Sequence, residues 1–231
     1  VYFAIGNHEY DWQSDYNVAK NRFIEKAEIP EKKVYYHREI QGYDFIFLGK
    51  DKKPSNVAYL SDEQLAWLES TLAANAVPDK PIFVFHHEPI YQTVSKSYSD
   101  NYGQQMIQEQ KFRNILEKYP QAILTTGHLH DDVKIQGNMY TNGFTALRDG
   151  AVLNTQALMF DVYKDKVHIK GRDVTTQKTI WEGTMSLHPN TTGMYEAEDS
   201  VFGNLWRRHK SVRRQVCEYE QWKSIYRVAQ G

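Results

Sequence analysis

Apolar residues recur with two different periods along this chain. In the first half, continuous apolar runs alternate with segments whose apolar positions fall three or four residues apart. Val1-Tyr2-Phe3-Ala4-Ile5 reads as a buried strand running into Gly6. Ser14 to about Ala27 is predicted helical: Val18, Phe23 and Ala27 are apolar, charges fill the gaps and Pro30 closes the segment. Val34 to Ile40 and Tyr43 to Leu48 are rich in aromatic and β-branched residues, and Gln41-Gly42 between them predicts a two-residue hairpin turn. Ser61-Asp62-Glu63-Gln64 has capping-box spacing, after which Leu65, Leu68 and Leu72 share one helical face. Ile82 to Phe85 is apolar at every position, as in a strand buried on both faces. Gln105 to Tyr119 is a predicted helix with Phe112, Ile115, Leu116 and Tyr119 inward, and Ala122 to Thr126 is a second central strand.

From Val133 to Arg172 the pattern becomes β-rich. Leu158 to Tyr163 and Val167 to Lys170 flank Lys164-Asp165-Lys166, a predicted hairpin. Strands alternating with helices, followed mainly by strands, predict an α/β fold: a four-layer α-β-β-α sandwich of two mixed sheets flanked by helices. The domain is expected to occupy residues 1–187. From about His188 the character changes. A basic cluster, Arg207-Arg208-His209-Lys210 with Arg213-Arg214, lies among Trp206, Tyr219, Trp222 and Tyr226, and reads as the solvated face or docking arm of an extension over residues 188–231.

Lys and Arg number 28 against 29 Asp and Glu, so the net charge of -1 gives no reason to expect nucleic acid or an anionic membrane as the main partner. No apolar run approaches the ~20 residues that span a bilayer. The single cysteine, Cys217, excludes an intrachain disulfide. This leaves the cytoplasm and a bacterial secreted location both open, since the first residue is not Met. Asn190-Thr191-Thr192 is a glycosylation sequon, meaningful only in a eukaryotic secretory setting.

The candidate chemistry follows three apolar strands. Val1–Ile5 leads to Gly6-Asn7-His8-Glu9, Ile82–Phe85 to His86-His87-Glu88-Pro89, and Ala122–Thr126 to Gly127-His128-Leu129-His130-Asp131-Asp132. Sites in open α/β sheets gather at the carboxyl ends of strands, so the three ends are expected to converge. Imidazole, amide oxygen and carboxylate together suit first-row metals such as Zn, Mn or Fe. An extended backbone through His128-Leu129-His130 is expected to put both rings on one side. Two metals ~3.5–4 Å apart activate a bridging water for in-line attack on phosphorus.

These segments, in this order, resemble the third, fourth and fifth motifs of the calcineurin-like metallophosphoesterases. Leu60-Ser61-Asp62-Glu63-Gln64-Leu65-Ala66-Trp67-Leu68 also resembles the family's helix between its third and fourth motifs. The resemblance extends over roughly Val1 to Gly183. It implies two divalent metal ions (Mn, Fe or Zn) and a hydrolase that acts on phosphate esters through a metal-bridged hydroxide. It implies that Asn7, His87 and His128 ligate one metal and His130 the other, and that His8 is the catalytic, non-ligand histidine that stabilises the transition state or protonates the leaving oxygen. Glu9, Asp131 and Asp132 are implied acceptors behind the ligating histidines, and His86 is the neighbour of the ligand His87.

The family's first two motifs, an Asp-x-His pair and a Gly-Asp, have no counterpart in the sequence and are expected to precede Val1. The fold is therefore expected to be N-terminally truncated, with weak metal binding, little hydrolysis by the chain as given, and an exposed sheet edge open to a partner chain. The expected substrate is a small phosphomonoester or phosphodiester, such as a nucleotide or cyclic nucleotide, with Tyr91, Tyr98 and Tyr102 forming a rim. A scaffold of the same fold that binds a protein partner and does no chemistry is the alternative reading.

Overall fold

The computed structural model describes residues 1–11, 15–52, 58–98 and 106–187, together with the backbone of 228–230. Gln41 and Gly42 both take left-handed backbone, with φ of 51° and 79°. That is the geometry of the tight turn whose twist matches two antiparallel strands. The turn joins β1 (Tyr36–Ile40) to β2 (Tyr43–Phe47). Parallel neighbours then follow in space: β3 (Ile82–Phe85), β4 (Ala122–Thr126) and β6 (Thr145–Arg148), with β5 (Met139–Thr141) antiparallel on the outer edge. The large sheet thus runs β1-β2-β3-β4-β6-β5. A small sheet runs β10-β7-β8-β9, from β7 (Gln156–Val162), β8 (Lys166–Asp173), β9 (Lys178–Ser186) and β10 (Val228–Gln230).

The sheets meet through aromatic rings. Phe45 stacks on Phe83 at 4.9 Å, Phe47 on Phe85 at 5.0 Å, and Phe83 meets Phe160 of β7 edge-on at 5.4 Å. By strand alternation, Ile46, Ile82, Val84 and Leu124 face the opposite side. There lie α3 (Asp62–Asn75) and α4 (Glu109–Leu116), which present Leu65, Leu68, Leu72, Phe112, Ile115 and Leu116 to the core. The described residues thus supply three of the four expected layers: helices, large sheet and small sheet.

Ser61 caps α3 by accepting the Gln64 N–H at 3.1 Å. The box is not reciprocal. The Gln64 amide turns away to Gly49, donating to its carbonyl at 2.8 Å and accepting its N–H at 3.1 Å, while the Ser61 N–H goes to Asp51 at 2.8 Å. A buried side chain thereby ties the helix to the exit of β2.

Four sequence expectations change. Val1–Ile5 forms no strand among the described residues: Val1 is 54% exposed and only Ile5 is fully buried. Both edges of β2 are taken, by β1 and β3, and the N–H and carbonyl of Phe3 are satisfied by the Tyr36 hydroxyl instead, at 2.8 and 2.7 Å. The first long helix, α2 (Tyr16–Lys26), begins later than expected because Asp15 caps it, accepting the N–H groups of Asn17 and Val18. Helix α4 starts at Glu109 rather than near Gln105, since Gln108 has φ of 68°, outside helical backbone. The fourth change concerns His128 and His130. Ser14, Tyr102, Asn190–Thr192, Cys217 and the basic cluster lie outside the described residues. No described helix is long and apolar enough to cross a membrane.

Candidate metal centre

Strands β3 and β4 are parallel neighbours, so their carboxyl ends lie side by side. The backbone carries the pairing past the strands: the His86 N–H donates to Thr125 O at 3.2 Å and the Gly127 N–H to His87 O at 3.0 Å. This fixes His87 beside His128. The Gly6-Asn7 turn reaches the same place from the other side. A Cβ on residue 6 would sit 2.9 Å from the His87 ring, so only glycine permits this approach. The Gly6 N–H donates to the Glu9 carboxylate at 2.7 Å, which closes the turn ahead of the short helix α1 (His8–Asp11).

Three donor atoms result at one point. His87 Nε2 lies 2.8 Å from Asn7 Oδ1, His128 Nδ1 lies 3.3 Å from the same oxygen, and the two nitrogens are 3.3 Å apart. Ligands bound at ~2.0–2.1 Å around one first-row ion stand about this far from one another. Burial lowers the pKa of both imidazoles, that of His87 to about 4, with the Glu88 carboxylate opposing the shift. Both rings are therefore neutral near pH 7 and offer lone pairs, as cation binding requires. Burial alone would raise the pKa of Glu88, but His86, His87 and His128 hold its carboxyl below the usual range. The set Asn7, His87 and His128 fits a divalent cation.

His128 and His130 both have left-handed backbone, with φ of 67° and 52°. The expected extended segment is therefore corrected. Strand β4 ends at Thr126, and the Leu129 N–H turns back to Gly127 O at 2.8 Å. Such φ values are uncommon for non-glycine residues and gather at functional sites. The turn separates the two rings. His128 joins the donor cluster, whereas His130 is exposed and stacks on His8 with ring centroids 5.9 Å apart. His8 Nδ1 also lies 3.0 Å from Asp11. Among the described residues no group of three or more His, Cys, Asp or Glu side chains is placed to hold a metal. The cluster escapes that description because one of its donors is an amide.

The remaining expected residues fall around this centre. His86 is buried; its Nδ1–H donates to Glu88 O at 2.8 Å and its Nε2 stands 3.5 Å from the Glu88 carboxylate. Asp131 turns from the histidines to an ion pair with Arg148 NH2 at 2.8 Å and another with Lys96. The Arg148 contact falls short of hydrogen-bond angles, while its NH1 donates to Ser95 O and Oγ at 2.8 and 2.9 Å. Asp132 accepts the Lys134 N–H at 2.8 Å, and Tyr91 uses its carbonyl to accept from Arg113. Glu9, Asp131 and Asp132 thus brace the loops and accept nothing from the ligand imidazoles.

Sequence reasoning missed Arg148 and Asp149. They follow the apolar run Phe144–Leu147, so the strand-end logic applied three times would have found them on a fourth application.

The family model for calcineurin-like phosphoesterases matches residues 1–132. The chain belongs to this family. No curated protein matches it by sequence. Among solved structures, the chain resembles a dimetal phosphatase from Danio rerio with a TM-score of 0.54 and 14% identity, over 81% of this chain and 72% of that one. It also resembles the purple acid phosphatase PPD1 from yellow lupin (Lupinus luteus) seeds, with a TM-score of 0.50 and 16% identity, over 78% of this chain and 39% of that one. At these identities the likeness establishes the fold. The mixed α/β architecture with two sheets is that of the family.

Proposed function

We propose that this chain is a hydrolase of small phosphate esters whose Asn7, His87 and His128 hold one divalent cation, with His130 directed to a second. The observation that carries the reading is the meeting of Asn7 Oδ1, His87 Nε2 and His128 Nδ1 within 3.3 Å of one another. Family membership supports phosphoester hydrolysis in general; the choice of a nucleotide or cyclic nucleotide is our own narrower reading.

Bound Mn, Fe or Zn supplies Lewis acidity at the phosphoryl oxygens and an acidified water. The chain's part is positioning and proton transfer. The Asn7 amide is held where it can ligate through oxygen, while its NH2 donates to the Asp11 carboxylate at 3.4 Å. His8 is exposed at the same mouth, with its Nδ1 on Asp11, so its Nε2 is the nitrogen available to protonate a leaving alkoxide. Tyr91 and Tyr98, 37% and 55% exposed, follow His87 in the chain and offer ring faces for a flat leaving group.

The test is metal analysis of the purified chain, followed by turnover of p-nitrophenyl phosphate and bis-p-nitrophenyl phosphate with added Mn or Zn. Metal uptake on addition of Mn or Zn, with turnover of either ester, is expected, and the ratio of the two rates separates monoesterase from diesterase. If neither metal nor turnover is found, the partner-binding scaffold is the better reading.

A further inference from the structure

His87 directs Nε2 at the donor cluster; when a cation takes the Nε2 lone pair, Nδ1 carries the proton and needs an acceptor. Among the described residues none accepts it within hydrogen-bond distance, and Glu9, Asp131 and Asp132 are engaged elsewhere. One carboxylate nearby has an unused oxygen. Asp149 follows β6, and its N–H is fixed on Thr126 O at 2.9 Å. The residue keeps partial exposure, yet its Oδ1 is sealed from solvent and has no hydrogen-bond partner.

Gly127 locates this orphan relative to His87. A Cβ on residue 127 would lie 3.5 and 3.6 Å from the Asp149 oxygens and 3.6 Å from His87 Nδ1. An unpaired acceptor and an unpaired donor thus border the same small space, which is open only because residue 127 has no side chain. Burial also raises the Asp149 pKa, to about 7. Its own backbone N–H and the Arg148 cation oppose the shift without cancelling it.

We propose that Asp149 is the positioning residue for His87: across the space left by Gly127 it accepts the His87 Nδ1–H, directly or through one water, and so holds Nε2 toward the cation. The proposal rests on the reading of His87 as a metal ligand. Asp149 touches neither substrate nor cation.

The experiment compares the full chain with Asp149→Asn, Asp149→Leu and Gly127→Ala. The last variant wedges a methyl between the two groups with the carboxylate intact. Its nearest contact of 3.5 Å is ordinary packing, so the fold tolerates it. Three quantities are read: Zn affinity by chelator competition, urea stability of the metal-free protein, and the His87 tautomer by 15N NMR. Affinity is expected to fall ~10-fold in Asn and ~100-fold in Leu, the range for outer partners of a metal ligand. Gly127→Ala is expected to fall between them. In the metal-free wild type the proton is expected on Nδ1, held there by Asp149 against the pull of Asn7 Oδ1, and all three variants are expected to shift it toward Nε2. Metal-free stability is expected to change little in the Asp149 variants, because the lost hydrogen bond is offset by removal of a buried carboxylate. Affinities within twofold of wild type, or losses that track stability with an unchanged tautomer, overturn the proposal. A wild type that binds no Zn while its tautomer responds to Asp149 overturns the metal reading and leaves the hydrogen bond standing.

Discussion

His128 and His130 are separated by one residue and share the same left-handed backbone, yet they occupy different worlds. The first is partly buried, has a lowered pKa and places Nδ1 within 3.3 Å of two other donors. The second is exposed and meets only the ring of His8. What separates them is their support. The His128 side is bounded by the ends of β3 and β4, by Gly6 and by the Asn7 turn, all fixed by backbone hydrogen bonds. The His130 side is held through Asp131, by its ion pairs with Arg148 and Lys96, and through Leu129, which packs against the core. Motif spacing therefore says that two histidines belong to one site; strand ends decide which of them is preorganised.

The largest test of this contrast is His87→Ala against His130→Ala, read as affinity for the tightest-bound Zn. If ~10–16 kcal/mol of zinc binding is spread over the three donors, loss of one costs ~10²–10⁴-fold. His87→Ala is expected to show that loss and His130→Ala less than ~10-fold. Equal losses would mean that both histidines serve the same ion. Next, Arg148→Met leaves Asp131 without its buried partner and is expected to destabilise by about 3 kcal/mol in urea unfolding. It should disturb the His8–His130 side more than the cluster, as 1H-15N shifts of the imidazoles would report. Gly6→Ala attacks the opposite side by driving a Cβ into the His87 ring. Overpacking of this kind costs ~1–3 kcal/mol, and here Zn affinity should fall with stability.

The smallest effect is in the pH dependence. The Asp149 pKa is raised from 3.8 unfolded to about 7 folded, so between these values the native state binds the extra proton and its stability falls as pH rises. His87 is lowered from 6.5 to about 4, so between those values the unfolded state binds the extra proton and stability rises with pH. The two slopes oppose each other in the wild type. Asp149→Asn removes one of them, and its stability relative to wild type is expected to grow from about pH 4 to about pH 7 and stay level above. Urea titrations of the metal-free proteins at each pH check this; parallel curves would break the assignment.

Much of this was legible in the sequence because the signals were local. Gln41-Gly42 supplies its own turn, Ile82–Phe85 declares burial by having no polar position, and Gly6-Asn7, His87 and His128 each end an apolar run. What was not legible depends on partners distant in the chain. Whether Val1–Ile5 forms a strand depends on a free neighbouring edge. The direction of Gln64 depends on Gly49. The left-handed turn at His128 is carried by histidines, which adopt it more readily than most residues yet do not do so by default, so spacing alone suggested an extended segment. Arg148 and Asp149 are visible only as one more polar pair after a strand, and their meaning comes from Ser95, Asp131 and Gly127.

One guanidinium has a consequence for the timing of events at the site. Arg148 grips the Ser95 segment with NH1 and the Asp131 segment with NH2, so neither loop opens without releasing the other's anchor. The tyrosine-bearing loop and the histidine turn then share a single opening step, and the Ser95 and Leu129 amides should lose hydrogen-exchange protection at the same rate.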